Sequence, residues 1–213
     1  WKNSSTLKGV RYYLPYFDKA TIPVMEIGSG RGEFLSLMRD RNVIAFGVDV
    51  FEPFVNKCLK KGLTVKFGDG VSFLNTVEDN SLGGIFAAQV IEHISTEDLI
   101  TLCKEAYRCV QPGSYVVFET PNPTCVSIFT NSFYIDPSHK NPVHPSLVHY
   151  IMKMVGFDEV QILYTEGSKV PMSIPELKGD GIENIDEFNK AMSELNTKIF
   201  GSQDYAVVAR KTK

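Results

Sequence analysis

The sequence has 213 residues, 43% of them hydrophobic, which is enough for one sizeable buried core and points to a single domain. Its 22 basic and 25 acidic side chains leave a net charge of −3, a field too weak to gather phosphates, so generic nucleic-acid binding is disfavoured. With 14 Phe and 9 Tyr among scattered Gly and Pro, neither a disordered nor a collagen-like chain is in question.

In chain order, short apolar runs alternate with helical patterns, the arrangement that yields an α/β fold with a parallel sheet covered by helices on both faces. Strands are expected at Val24–Ile27, Ile44–Val48, Thr64–Phe67, Gly84–Ala88, Tyr115–Glu119, Val160–Tyr164 and Tyr205–Ala209. Helices are expected at Leu7–Lys19, Glu33–Arg41, Pro53–Lys61, Thr96–Val110 and Pro145–Val155, with Ser95 as an N-cap ahead of Glu97 and Asp98. Between the last two strands, at about 166–203, lies a helical insertion. Its residues Ile185, Phe188, Met192, Leu195 and Ile199 form one apolar stripe, expected to pack on the sheet or a neighbouring helix, with a lid or homodimer seam as the alternative.

Cys58, Cys103, Cys109 and Cys125 include no C-x-x-C pair and read as reduced thiols. No run of ~20 apolar residues spans a bilayer and no signal-peptide pattern opens the chain, so the expectation is a soluble, cytoplasmic protein. The start at Trp1, without Met, suggests a piece of a longer chain.

The most informative run follows the first strand and opens a helix: Glu26-Ile27-Gly28-Ser29-Gly30-Arg31-Gly32-Glu33. Glycines at 28, 30 and 32 let a ligand approach bare backbone. A dinucleotide fingerprint would need its third glycine at position 33, which is Glu33. An acid on that first turn competes for the amides a pyrophosphate would use, so NAD and FAD are disfavoured while a cationic nucleoside is not. Strand two ends at Asp49, next to Val50, and strand three ends in Gly68-Asp69-Gly70, which places Glu26, Asp49 and Asp69 at the carboxyl ends of strands where such sheets bind ligands.

With these pieces, and with Ala88-Gln89-Val90-Ile91-Glu92-His93 and Thr120-Pro121-Asn122 at two further strand ends, the sequence resembles the class I S-adenosylmethionine-dependent methyltransferases from about Tyr12 to Ala209. The resemblance implies a Rossmann-like, seven-stranded, mostly parallel sheet with an antiparallel last strand. It implies S-adenosyl-L-methionine as methyl donor, with Glu26, Gly28, Ser29, Gly30 and Gly32 at the methionine moiety. Asp49 and Val50 would meet the ribose, Asp69 and Gly70 the adenine, and Gln89 the sulfonium.

Transfer to a hydroxyl also needs a proton acceptor. The histidines are His93 and a cluster at His139, His144 and His149, in a segment that should hang over the carboxyl edge of the sheet. His139 or His144 is expected as a base, with His93 a further catalytic candidate, while His149 reads as structural. The stretch Asp136 to Phe157 resembles methyltransferases of polysaccharide and O-antigen biosynthesis, some fused to glycosyltransferases. It therefore points to a carbohydrate acceptor, either a hydroxyl or a terminal phosphate. Exposed aromatics for sugar stacking would come from Tyr12, Tyr13, Tyr16, Phe129, Phe133 and Tyr134. A second resemblance, to metal-dependent O-methyltransferases carrying E-x-x-E-H and a later His, offers Glu92, His93 and His139 to a divalent cation such as Mg2+, with Gln89 replacing the first acid. The alternatives are an RNA 2′-O-methyltransferase, a small-molecule O-methyltransferase, and a non-catalytic donor-binding or scaffolding module.

Overall fold

A computed structural model describes residues 9–213. Seven strands form one sheet: β1 (Val24–Ile27), β2 (Ala45–Asp49), β3 (Val65–Phe67), β4 (Leu82–Ala88), β5 (Val110–Pro121), β6 (Glu159–Tyr164) and β7 (Asp204–Arg210). Their order is β3-β2-β1-β4-β5-β7-β6. β7 runs antiparallel to both of its neighbours, and the pairs from β3 to β5 are parallel. The order reverses between β1 and β4, so the carboxyl ends of β1, β2 and β4 open the crevice where ligands of doubly wound sheets bind.

The helices are α1 (Glu33–Asp40), α2 (Glu52–Lys60), α3 (Gly70–Leu74), α4 (Thr96–Cys109), α5 (Ser127–Asn131), α6 (Pro145–Val155) and α7 (Ile185–Phe200). α4 begins where Ser95 Oγ accepts the Asp98 amide at 3.0 Å, with two acids in the first turn to complement the helix dipole. Its buried face, Leu99, Leu102, Cys103, Ala106 and Cys109, follows the helical period and joins α6 in a core built on Met25, Ile27, Ile85 and Phe118. Tyr13, Leu14, Phe17 and Phe34 cover the opposite face, where Phe34 stacks on Phe86 at 4.4 Å. All four cysteines are free and buried. Among the described residues no helix is long and apolar enough to cross a membrane.

Two expectations need correction. The first helix is not continuous to Lys19: among the described residues it stops at residue 11, and Leu14–Tyr16 form a 3-10 turn. Pro15 lacks an N–H and its ring crowds the preceding turn, which explains the break. Part of the expected span, residues 7 and 8, lies outside the described residues. The stripe on α7 does not pack into the core either, since no residue of that helix is buried and Phe188 and Leu195 remain exposed. Polar tethers hold α7 instead. Asn196 Oδ1 accepts the Ile174 amide at 2.8 Å, and Asn189 accepts from Leu177 N and donates to its carbonyl, each at 2.9 Å.

Candidate active site

β1 is buried along its whole length and delivers the chain into the glycine turn. Gly28, Gly30 and Gly32 all take left-handed backbone, with φ of 72, 52 and 78°, a region that costs other residues energy. A Cβ on Gly28 would stand 2.5 Å from Val90 Cγ2, so this turn and the loop after β4 press directly together. Asp49 organises the turn from the tip of β2: Oδ2 accepts from Gly30 N at 2.7 Å and Oδ1 from Phe51 N at 2.8 Å. Glu26 lies behind the turn with Oε2 buried and unpartnered. Burial first, then Glu33 and Asp49, pushes its carboxyl well above the ordinary range.

Other sequence-derived residues are placed differently. Ser29 is buried and turned inward against β2, where a Cβ on Gly47 would meet its Oγ at 1.9 Å; what Ser29 can offer a ligand is backbone. Val50 is exposed beside Asp49, as is Phe67 across the strand pair. Asp69 is exposed, and its Oδ1 caps α3 by accepting the Ser72 amide at 2.7 Å. Gly70 is buried because a Cβ there would strike Ile27 Cγ2. Gln89 has φ 56°, and its amide donates to Asp204 Oδ1 at 3.2 Å, so it does not join the proposed metal ligands.

Glu92, His93 and His139 do come together. The backbone ties the two segments, with Lys140 N donating to the Glu92 carbonyl at 2.8 Å. His93 Nε2 and His139 Nε2 each lie 3.9 Å from Glu92 Oε1, a fully buried oxygen without a hydrogen-bond partner. The other carboxylate oxygen, Oε2, accepts from Thr120 Oγ1 at 2.8 Å. His139 Nδ1 sits 2.6 Å from the Phe133 carbonyl, which can only accept, so Nδ1 carries the proton and Nε2 presents a lone pair. Ser138 Oγ donates to Asp136 Oδ1 at 2.5 Å and therefore accepts from His93 Nδ1 at 3.0 Å, which leaves His93 Nε2 a lone pair as well. Burial lowers the His93 pKa and raises that of Glu92 to about 7. Three lone pairs converging on one point call for a shared proton or a cation between them.

His144 stands apart: its Nδ1 accepts the Ser146 amide at 3.2 Å as the N-cap of α6, and its side chain is exposed. His149 lies within α6, half-buried. Next to the histidine pair, Phe129, Phe133 and Tyr134 form an aromatic group in which Phe133 lies 4.6 Å from the His139 ring and Tyr134 is 73% exposed. Tyr12 is exposed, whereas Tyr13 and Phe133 are core. Beyond Thr120, Asn122 and Thr124 help to line a cavity of about 450 Å³ together with residues that include Tyr164, Lys169, Phe200 and Ser202.

A family model described as a methyltransferase domain matches residues 4–163. Among solved structures, a SAM-dependent methyltransferase from Archaeoglobus fulgidus is 34% identical, with a TM-score of 0.89 over 97% of this chain and 93% of that one. A possible histamine N-methyltransferase from Thermotoga maritima is 20% identical, with a TM-score of 0.64 over 98% and 88%. A Haemonchus contortus phosphoethanolamine N-methyltransferase, in complex with phosphomonomethylethanolamine and S-adenosylhomocysteine, is 16% identical, with a TM-score of 0.69 over 97% of this chain and 53% of that one. At these identities the last two share the fold. No curated protein matches the chain.

Proposed function

The chain belongs to the S-adenosylmethionine-dependent methyltransferases, and from that premise we propose that it methylates a hydroxyl of a carbohydrate, with Glu92, His93 and His139 receiving the hydroxyl proton. The observation that carries this reading is the buried, unpartnered Glu92 Oε1 facing two imidazole nitrogens at 3.9 Å. In the transfer, the acceptor oxygen attacks the methyl carbon in line with the C–S bond, whose electron pair returns to sulfur. The donor is already activated, so the protein mainly aligns the reactants and removes a proton. His93 is the more open imidazole, with 29% side-chain exposure against 11% for His139. It takes the proton on Nε2 while Ser138 and Asp136 hold Nδ1, and Glu92 stabilises the resulting charge.

Glu26, the glycine turn and Asp49 would hold the donor, whose positive charge suits the carboxylates of Glu26 and Asp49. The carbohydrate part of the reading is supported by exposed Tyr134 beside the histidines, the Asp136 to Phe157 stretch, and the roomy cavity past Thr120.

The converging lone pairs favour a second reading. Glu92, His93 and His139 also fit a divalent cation, since their donor atoms lie within 4.8 Å of one another. Two imidazoles and one carboxylate suit Zn2+ or Mn2+ better than Mg2+. Such an ion, when bound, would acidify the hydroxyl it contacts.

The test is methyl transfer from labelled donor to mixed glycan and RNA acceptors, with and without a chelator. Label in the glycan fraction that survives chelation supports the base reading, and loss on chelation moves the proton-removing role to the ion. Label in RNA alone would overturn the acceptor class, and donor binding with no label anywhere would favour a non-catalytic module.

A further inference from the structure

A second polar group lies on the opposite face of β5 from Glu92. Val117 belongs to the core beneath α1, and strand alternation puts Glu119 on that same side. On the neighbouring β7, Asp204 stands opposite Pro121 and Ala206 opposite Glu119, so the two acids are diagonal neighbours on one face. Glu119 Oε2 is closed to solvent and has no hydrogen-bond partner. Gln89 donates to Asp204 Oδ1 through its amide at 3.2 Å and to the Glu119 carbonyl through its backbone at 2.9 Å. The Tyr13 hydroxyl, fully buried, closes the group from the N-terminal segment, bonded to the Glu119 carboxyl and 3.2 Å from Thr165 Oγ1. None of the ion pairs among the described residues includes either acid.

The donor and acceptor inventory is lopsided. Two carboxylates present about eight lone-pair sites; against them the Tyr13 hydroxyl and the Gln89 amide bond Glu119, and the same amide bonds Asp204, so Glu119 Oε2 is left without a donor. A neutral hydroxyl could add a single hydrogen; an ammonium adds three and a charge opposite to that of the acids. The location also suits an acceptor. Gln89 is followed by Val90, which presses on Gly28, so the group lies just across the end of β4 from the turn that would hold the donor.

We propose that Glu119, Asp204, Gln89 and Tyr13 form a subsite for an ammonium group on the acceptor, and that the preferred carbohydrate is therefore an amino sugar; this rests on the methyl transfer proposed above. The acceptor lies across the tip of β5, its ammonium toward Glu119 and its hydroxyl toward the histidine pair. Burial, followed by the nearby Asp204 charge, raises the Glu119 carboxyl to about 7, a shift that a cation between the two acids would relieve.

The experiment titrates glucosamine and glucose calorimetrically into the protein saturated with S-adenosylhomocysteine, for wild type, Glu119→Gln and Asp204→Asn. S-adenosylhomocysteine is titrated alone into each, with melting curves as the check on folding. The expected result is that wild type prefers glucosamine by roughly tenfold or more. Either variant loses that preference while keeping its S-adenosylhomocysteine affinity. Equal affinity for the two sugars in wild type overturns the proposal. So does weaker S-adenosylhomocysteine binding in a folded Glu119→Gln variant, which would assign the subsite to the donor's own ammonium. With labelled S-adenosylmethionine in place of S-adenosylhomocysteine, glucosamine methylated on nitrogen would support the subsite and sink the hydroxyl reading, so the two can fail separately.

Discussion

Asp49 does two jobs with one carboxylate. Both of its oxygens already anchor backbone amides, Gly30 N and Phe51 N, so the turn is preorganised before a donor arrives. Removing an ionised acceptor strands both amides, and hydrogen bonds to charged groups contribute about 1.5–3 kcal/mol each. Asp49→Ala should therefore weaken S-adenosylhomocysteine binding by roughly 10- to 100-fold in a calorimetric titration, and an unchanged affinity would contradict this role. At this scale the legible residues were those whose signal is local. Glu92 and His93 are adjacent and matched E-x-x-E-H, and only that resemblance, with its later His, joined His139 to them. His144 carries the same side chain in the same loop, yet a single bond to Ser146 N makes it a cap. Glu119 and Asp204 could not be read as a pair, because only the antiparallel register of β5 and β7 brings them together.

Elements were legible where the hydrophobic period ran long enough to declare itself. α6 was expected at Pro145–Val155 and observed there, opened by a proline and closed at Gly156, whose φ is 122°. The five-residue helices α3 and α5 passed unseen, being too short to establish a 3.6-residue period. α7 was legible as a helix but not in its packing, since an apolar stripe states what could be buried and not what covers it. With no buried residue to hold it, α7 should open more easily than α4, which buries five. Amide hydrogen exchange should show α7 exchanging at least about tenfold faster than α4, given that each 1.4 kcal/mol of opening free energy is a factor of ten. Equal protection would mean that α7 has a covering partner in solution.

Across the whole molecule, the strand sequence, the helices on both faces and the reversed last strand were all legible, because alternating βα units leave few topologies open. The ledger of buried acids was not. Glu92 and Glu119 both have carboxyls raised to about 7 from an ordinary 4.5, mainly by burial. The folded chain therefore holds more protons than the unfolded chain between those values, and stability must fall as pH rises through that window. The loss is at most about 3 kcal/mol per acid and is complete above pH ~7. Melting temperature should drop from pH 5 to pH 8, and the drop should shrink in Glu92→Gln; a rise over that range would contradict the burial argument. The acids that carry this cost, Glu92 and Glu119, are those expected to meet a proton in transit and a charged acceptor.

The central claim is tested most directly by the rate of methyl transfer in Glu92→Gln, measured at saturating donor on the glycan fraction that wild type labels, beside its donor affinity. Removing a buried group that stabilises the proton-bearing imidazoles should lower turnover about 100-fold or more, with donor affinity held within about twofold of wild type. Turnover retained near the wild-type rate, or lost only in step with donor affinity, would contradict a role for Glu92, His93 and His139 in removing the acceptor's proton.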